Sequence, residues 1–195
     1  QGAGTWVYVE QKAISAGALI SLACNRLAMG EGTTIGDCAP ITQSAEGGIV
    51  MLGEKIQSPL RAKFRNLAER NGYPSLLSEA MVTADIGVVQ ALPQDPARAP
   101  EYFTVRDWDG MPAARKAGFR EHTVIVREGQ LLTMTDLEAR RYGFSDGSYR
   151  DFDAFLRHHE FTVLRTLEPN WSESLARVLG KFAPILMLIG FGALY

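Results

Sequence analysis

The strongest constraint on this chain lies between residues 5 and 27, where a β-type sequence gives way to an almost wholly apolar helix around a single serine. Thr5-Trp6-Val7-Tyr8-Val9-Glu10 is β-branched and aromatic, which suits a buried strand. Beyond it, Ile14, Leu19, Ile20, Leu22, Ala23 and Leu27 leave no polar face, so the helix they form belongs to an interior. Ser15, followed by Ala16 and Gly17, stands at the turn between the two.

That position has chemical consequences. The first turn of a helix carries unpaired N–H groups and partial positive charge. An amide beside the serine, that of Ala16 first, is therefore placed to stabilise an oxyanion formed when the serine oxygen attacks a carbonyl. The small side chains of Ala16 and Gly17 admit a substrate backbone. The commoner use of a serine here is as a helix N-cap, and this stretch alone leaves both readings open.

A chain of 195 residues suits one domain with a real core. The formal charge of −2 with mixed signs gives no footprint for nucleic acid. His122, His158 and His159 lack the helical spacing to carboxylates of a zinc motif, so neither a metal nor another cofactor is expected. Cys24 falls in the apolar helix and Cys38 in a loop; two cysteines make no disulfide framework, and the expectation is one packed thiol and one loop thiol.

Further along, Arg26–Met29 reads as a short strand. The glycines at 30, 32 and 36 lack the order of a nucleotide loop; the segment is a structural loop. Residues 42–53 read as a flexible polar stretch bordering a cleft. A helical pattern then runs through Ile56, Leu60, Phe64, Leu67 and Ala68, with Ser58 as cap, Pro59 at the first helical position and Gly72 as stop. Lys55 opens it, beside Met51, Leu52 and Ile56 in sequence. An apolar setting favours the neutral amine that can take a proton from serine, although a solvated surface lysine is the commoner case, and Lys12 and Lys63 are competitors.

Pro74-Ser75 introduces a short helix over 76–82, and Ile86–Leu92 reads as a strand. Residues 93–118, rich in Pro, Arg, Asp and Ala, form a long surface insertion that Tyr102, Phe103 and Trp108 pack down. Thr123–Val126 and Leu131–Met134 flank a hairpin turn at Arg127–Gln130. Thr135-Asp-Leu-Glu138 is a capping box for the helix that Gly143 ends, Asp146-Gly147 a turn, and Asp151 the cap of a helix over 152–158. Phe161–Leu167 reads as a last strand. Ser172 caps an amphipathic helix with Trp171 as an interface anchor, and the uncharged apolar run from Phe182 to Tyr195 is shorter than the roughly 20 residues of a membrane span; it reads as the start of one.

These segments in order resemble the NfeD (nodulation formation efficiency D) proteins, membrane-anchored relatives of the Clp protease catalytic subunit and of signal peptide peptidase A. The resemblance rests on Tyr8-Val-Glu10, Ala13-Ile-Ser15-Ala-Gly17, Met29-Gly-Glu-Gly32-Thr-Thr-Ile-Gly36 and Pro40. It continues through Lys55-Ile56, Asn66-Leu-Ala-Glu69-Arg-Asn-Gly72, Glu79-Ala-Met-Val82, Leu132-Thr-Met-Thr135 to Tyr142-Gly143, and Leu167-Glu-Pro-Asn-Trp171.

The resemblance implies an α/β fold of the Clp protease/crotonase type, a repeated ββα spiral whose N-terminal part is missing here, followed by the start of a transmembrane helix. It implies a peptidase domain over 1–168 with the insertion at about 93–118, and a connector with the membrane segment over 169–195. It assigns Ser15 as nucleophile and Lys55 as general base of a Ser-Lys dyad, with the Ala16 amide as oxyanion donor. Implied too are apolar peptide substrates such as segments of stomatin-like membrane proteins, a homodimer, and a soluble domain outside the cytoplasm. The family's glycine-rich turn, which supplies a second oxyanion donor, has no counterpart before Gln1. That departure and the insertion motivate an alternative, a catalytically inactive membrane-anchored scaffold that binds a stomatin-type partner. An acyl-CoA enzyme of the wider crotonase superfamily is a third, weaker reading.

Overall fold

Alternating short strands and apolar helices build the chain, and the computed structural model describes residues 4–44 and 47–167. By its internal contacts the chain falls into two units, residues 1–159 and 160–195. All regular elements described below belong to the first.

The aromatic stretch forms β1 (Trp6–Val9), and a second short strand, β2 (Lys12–Ile14), follows before helix α1 (Ala16–Ala23). The chain returns as β3 (Arg26–Gly30) and β4 (Thr34–Gly36). β1 lies parallel to β3, with Val9 opposite Met29, while β2 lies parallel to β4, with Ala13 opposite Ile35. Val9 and Ala13 are buried by this pairing, whereas Trp6, Val7 and Tyr8 are half-buried and Lys12 is exposed, so the apolar opening segment is less enclosed than its sequence suggested. α1 buries Ala18 and Leu22 against these strands.

Where a flexible polar stretch was expected, β5 (Ile41–Gln43) and β6 (Ile49–Met51) pair as a two-stranded antiparallel ribbon. Its strands leave Ile41, Ile49, Val50 and Met51 exposed. The ribbon feeds α2 (Glu54–Asn71), whose last turn closes on Gly72 at φ 80°, a left-handed stop that glycine adopts without strain. The helix starts five residues earlier than its Ser58-Pro59 signal suggested. Gly53 is the N-cap, and Pro59 sits inside the helix, where it removes the N–H that the Lys55 carbonyl would accept from.

Helix α3 (Ser75–Ala80) and strand β7 (Val88–Pro93) follow. The insertion is not a featureless loop: it contains β8 (Glu101–Thr104), α4 (Val105–Asp109) and α5 (Ala113–Lys116), then β9 (Phe119–Val126). β7 is the centre of an antiparallel sheet between β8 and β9. Val89, Ala91, Trp108 and Met111 form a small second core beneath it, with Phe103 and Phe119 packed alongside. Phe103 and Trp108 pack the insertion down on a core of its own, whereas Tyr102 packs against the main core.

The expected hairpin at 123–134 does not form. β9 pairs with β7, whereas β10 (Thr133–Thr135) pairs with β4 across the main core. The Leu132 N–H donates to the Ala80 carbonyl and the Leu132 carbonyl accepts from Asp37 N–H, so tertiary partners take this strand away from its sequence neighbour. α6 (Asp136–Arg141) opens with the full Thr135/Glu138 capping box. β11 (Ser148–Tyr149) adds to the other edge of β3, and α7 (Phe152–His158) starts on the Asp151 carboxylate, which accepts from Ala154 N–H at 2.7 Å. The α7 aromatics pack on β1, with Tyr8 and Phe155 ring centroids 5.2 Å apart.

In the second unit, residues 161–167 form no strand, and Leu164 and Leu167 are exposed. The strand expected there finds no ladder among the described residues. The helix from Ser172, its Trp171 anchor and the apolar run 182–195 lie outside the described residues. Among the described residues, no helix is long and apolar enough to cross a membrane.

Candidate active site

Ser15 occupies the N-cap position of α1 with φ 56° and ψ −117°, and its hydroxyl makes no capping bond. For a residue with a Cβ this is a sparsely populated conformation, worth about 1–3 kcal/mol of strain. The bland reading of Ser15 as a cap therefore fails: the backbone bends so that the side chain is exposed and unused.

The surroundings hold the bend in place. Ser15 N–H lies between the Gly36 and Asp37 carbonyls, 3.2 Å from each. Its own carbonyl accepts from the Ala18 and Leu19 amides at 3.1 and 3.2 Å. Helical bonding thus begins at Ala18, and the amides of Ala16 and Gly17 have no intrahelical acceptor. They are free to serve an oxyanion at the positive end of α1.

The support is itself strained. Gly36 has φ 135°, and a Cβ there would lie 2.3 Å from the Leu132 carbonyl oxygen. Asp37 has φ 47° and donates its N–H to that same carbonyl. Two adjoining backbone segments, 15 and 36–37, are thus locked against each other.

Cys38 was expected to be a loop thiol, and Cys24 a packed one. Cys38 does lie in a loop, between β4 and β5, but it is the buried thiol, and Cys24, at the C-cap of α1, is partly exposed. The Cys38 Sγ donates to the Gly36 carbonyl at 3.2 Å and lies 3.6 Å from that of Ser15. Burial pushes its thiol up to about 12, so it stays protonated and inert. Sequence reasoning missed its place beside Ser15, which depends on a contact 23 residues away.

Next to Ser15 opens a cavity of about 190 Å³ lined by Ser15, Ala16, Leu19, Cys38, Leu60 and Phe64. Apart from the serine it is apolar. Leu60 and Phe64 come from α2, the helix that carries Lys55 at its second position.

Lys55 differs from its expected setting. It is exposed, as are Met51 and Ile56, so no apolar pocket encloses it. Neither its amine nor the Ser15 hydroxyl forms a hydrogen bond or ion pair among the described residues. Its turn is fastened instead through its neighbours. The Gly53 carbonyl accepts from Ile56 and Gln57 amides at 2.9 and 3.2 Å, and Gln57 Nε2 donates to the Leu52 carbonyl. Glu54 pairs with Arg61, whose Nη1 also donates to Thr83 Oγ1 at 3.0 Å. Arg65 holds the buried Glu79 through two bonds of 2.7 Å, fixing α2 to α3. Lys12 and Lys63, the competing lysines, are also exposed. Among the described residues, no group of three or more His, Cys, Asp or Glu side chains is gathered as metal ligands would be.

A mixed α/β domain with an exposed, strained serine at a strand-to-helix turn over an apolar pocket is the class of protein described so far. The model of the NfeD1b N-terminal domain matches residues 3–124, and the chain belongs to the NfeD family. A membrane-bound protease of Pyrococcus horikoshii, PH1510, is 35% identical over 197 residues, covering 92% of this chain and 42% of that protein. The chain thus spans about two fifths of its relative's length. Among solved structures it is similar to 1510-N, described as a membrane-bound stomatin-specific protease. A lysine-to-alanine variant of 1510-N in complex with a substrate peptide matches with a TM-score of 0.57 at 21% identity, over 90% of this chain and 69% of that one. A serine-to-alanine variant matches at 0.54 and 21%, over 86% and 69%. These likenesses show a shared mixed α/β fold.

Proposed function

We propose that this chain is the catalytic part of a membrane-anchored serine endopeptidase with a Ser15-Lys55 dyad. The observation that carries the reading is the Ser15 elbow: a strained backbone that exposes an unbonded hydroxyl beside free helix amides and an apolar cavity. Strain of this kind persists where it serves function. The residue types also match the two solved relatives described above, one with its serine and one with its lysine replaced by alanine.

Ser15 Oγ attacks the scissile carbonyl carbon as neutral Lys55 takes the hydroxyl proton. The developing oxyanion is met by the Ala16 amide. Collapse expels the amine, which takes the proton from Lys55, and water then hydrolyses the serine ester by the same route. A peptide laid over β6 and the first turn of α2 would exclude water from the Ser15-Lys55 pair.

Apolar peptide segments, including those of stomatin-like membrane proteins, are the proposed substrates, supported by the relative's stated specificity and by the apolar cavity. The reading includes a Clp protease/crotonase spiral, a peptidase domain over 1–168 with a membrane connector after it, an extracytoplasmic location and a homodimer. Fluorophosphonate labelling of the full-length protein tests it. Wild type should label, and Ser15→Ala and Lys55→Ala should not. A second reading, the non-cleaving scaffold, is favoured by the exposure of Lys55 and its lack of a bond to Ser15; folded wild type that binds a stomatin-type partner without labelling would support it.

A further inference from the structure

From the Ser15 cavity we infer that Cys38 is a specificity-determining residue, the wall that limits the size of the apolar side chain borne by the residue whose carbonyl Ser15 attacks. The inference rests on the peptidase reading and deepens it.

The cavity adjoins Ser15 and Ala16, the residues proposed to hold the scissile carbonyl. The side chain on the α-carbon next to that carbonyl is the group that reaches into it. Phe64, at 1% exposure, is fixed in the core, while Leu19 and Leu60, only partly buried on two helices, can adjust by rotamer. Cys38 cannot. Its N–H donates to the Met81 carbonyl at 2.7 Å, its Sγ is bonded to the Gly36 carbonyl at 3.2 Å and near that of Ser15 at 3.6 Å, and it is 3% exposed. The same bonds that hold the elbow therefore fix one wall of the pocket.

Size follows from the volume. An apolar cavity of about 150 Å³ accepts a benzene ring, so one of about 190 Å³ takes a leucine or phenylalanine side chain. An added methyl at residue 38 would exclude the larger of these. A single carbon's change in such a pocket alters selectivity by about tenfold or more.

The test uses full-length protein and peptidyl p-nitroanilides that differ only in a terminal Ala, Leu or Phe, each variant's kcat/KM being normalised to its own rate with a small alkyl fluorophosphonate. Normalisation removes any loss of folded or competent enzyme. Wild type should favour Leu and Phe over Ala. Cys38→Val should lower the Phe/Ala ratio about tenfold, Cys38→Ala should raise the Phe/Leu ratio, and Cys38→Ser, which keeps size and donor, should restore the wild-type order. Ratios that stay constant across variants that all label at Ser15 would overturn the inference while the peptidase reading stands. Absence of labelling in folded wild type would overturn both.

Discussion

The Ser15 elbow and the Lys55 turn are held in opposite ways. Around Ser15 the backbone of the bend is tied down, with only the Ala16 and Gly17 amides left open: the serine N–H is engaged with two carbonyls, its carbonyl with two amides, and Asp37 with Leu132. Around Lys55 the helix begins on glycine, is interrupted by Pro59 and is reached through a ribbon whose apolar residues face solvent. One half of the proposed dyad is built in advance and strained; the other sits on an exposed turn. The contrast teaches where the rate should be sensitive to backbone stiffness and where it should be sensitive to what covers the site.

The largest effect should come from releasing the strained half. Ser15→Gly removes the nucleophile and also the Cβ that φ 56° disfavours. Turnover and labelling are expected to fall on the order of 10³-fold or more, while stability to urea rises by about 1 kcal/mol. Equal stability of Ser15→Gly and Ser15→Ala would show that the bend stores no strain.

Next comes the clamp itself. Gly36→Ala drives a Cβ into the Leu132 carbonyl at a φ of 135°, and the backbone cannot yield without losing the bond that orients Ser15. A destabilisation of about 3 kcal/mol or more is expected, read as a lower urea midpoint together with lost labelling. By contrast, Gly129→Ala, at φ 88° with open space around it, should leave labelling intact and destabilise less, because nothing lies in the path of its Cβ. A Gly36→Ala protein as stable as Gly129→Ala would remove the clamp from the comparison.

Pro59→Ala sharpens the other half. It restores the N–H that the Lys55 carbonyl lacks, so amide exchange at the first turn of α2 should slow, and stability should rise by about 1 kcal/mol, an interior proline's helix penalty less its restriction of the unfolded chain. Slower turnover alongside slower exchange would show that mobility of the Lys55 turn is used; unchanged turnover would show that this turn is already placed.

How much of this was legible beforehand follows the same division. The strand, the serine and the apolar helix could be read because a switch from β-type residues to an unbroken apolar run is local. The capping box at Thr135 and the Asp151 cap were legible for the same reason. The value of φ at Ser15 was not, since the carbonyls of Gly36 and Asp37 impose it. Likewise Arg127–Gln130 carries a turn signal, yet Leu132 is captured by Ala80 and Asp37, so the hairpin inferred there does not exist. Cys38 and the β5–β6 ribbon failed in the same way: their burial and exposure depend on partners in other elements. Pro59 misled because its helix-start preference was outweighed by Gly53 and the bonds its carbonyl accepts.

The smallest effect concerns the tether of the Lys55 turn. Glu54 is next to Lys55 and its carboxylate reaches Arg61, two turns along and beyond the proline. The hydrogen bond from Arg61 holds the Glu54 carboxyl below its ordinary value of 4.5. The folded state therefore binds fewer protons than the unfolded one as pH falls through that range, so the tether is fully present above about pH 4.5 and weakens as the carboxylate is protonated below it. Because the pair is exposed, its worth is small. Glu54→Gln should speed amide exchange of residues 54–58 by two- to threefold at pH 7, after correction for intrinsic rates, an increase of the size expected for an exposed pair. At a pH well below 4.5 wild type and variant should exchange alike. A difference that persists at low pH would mean the carboxamide disturbs the turn by shape, and that the bonds to the Gly53 carbonyl, rather than charge, hold Lys55 where it is.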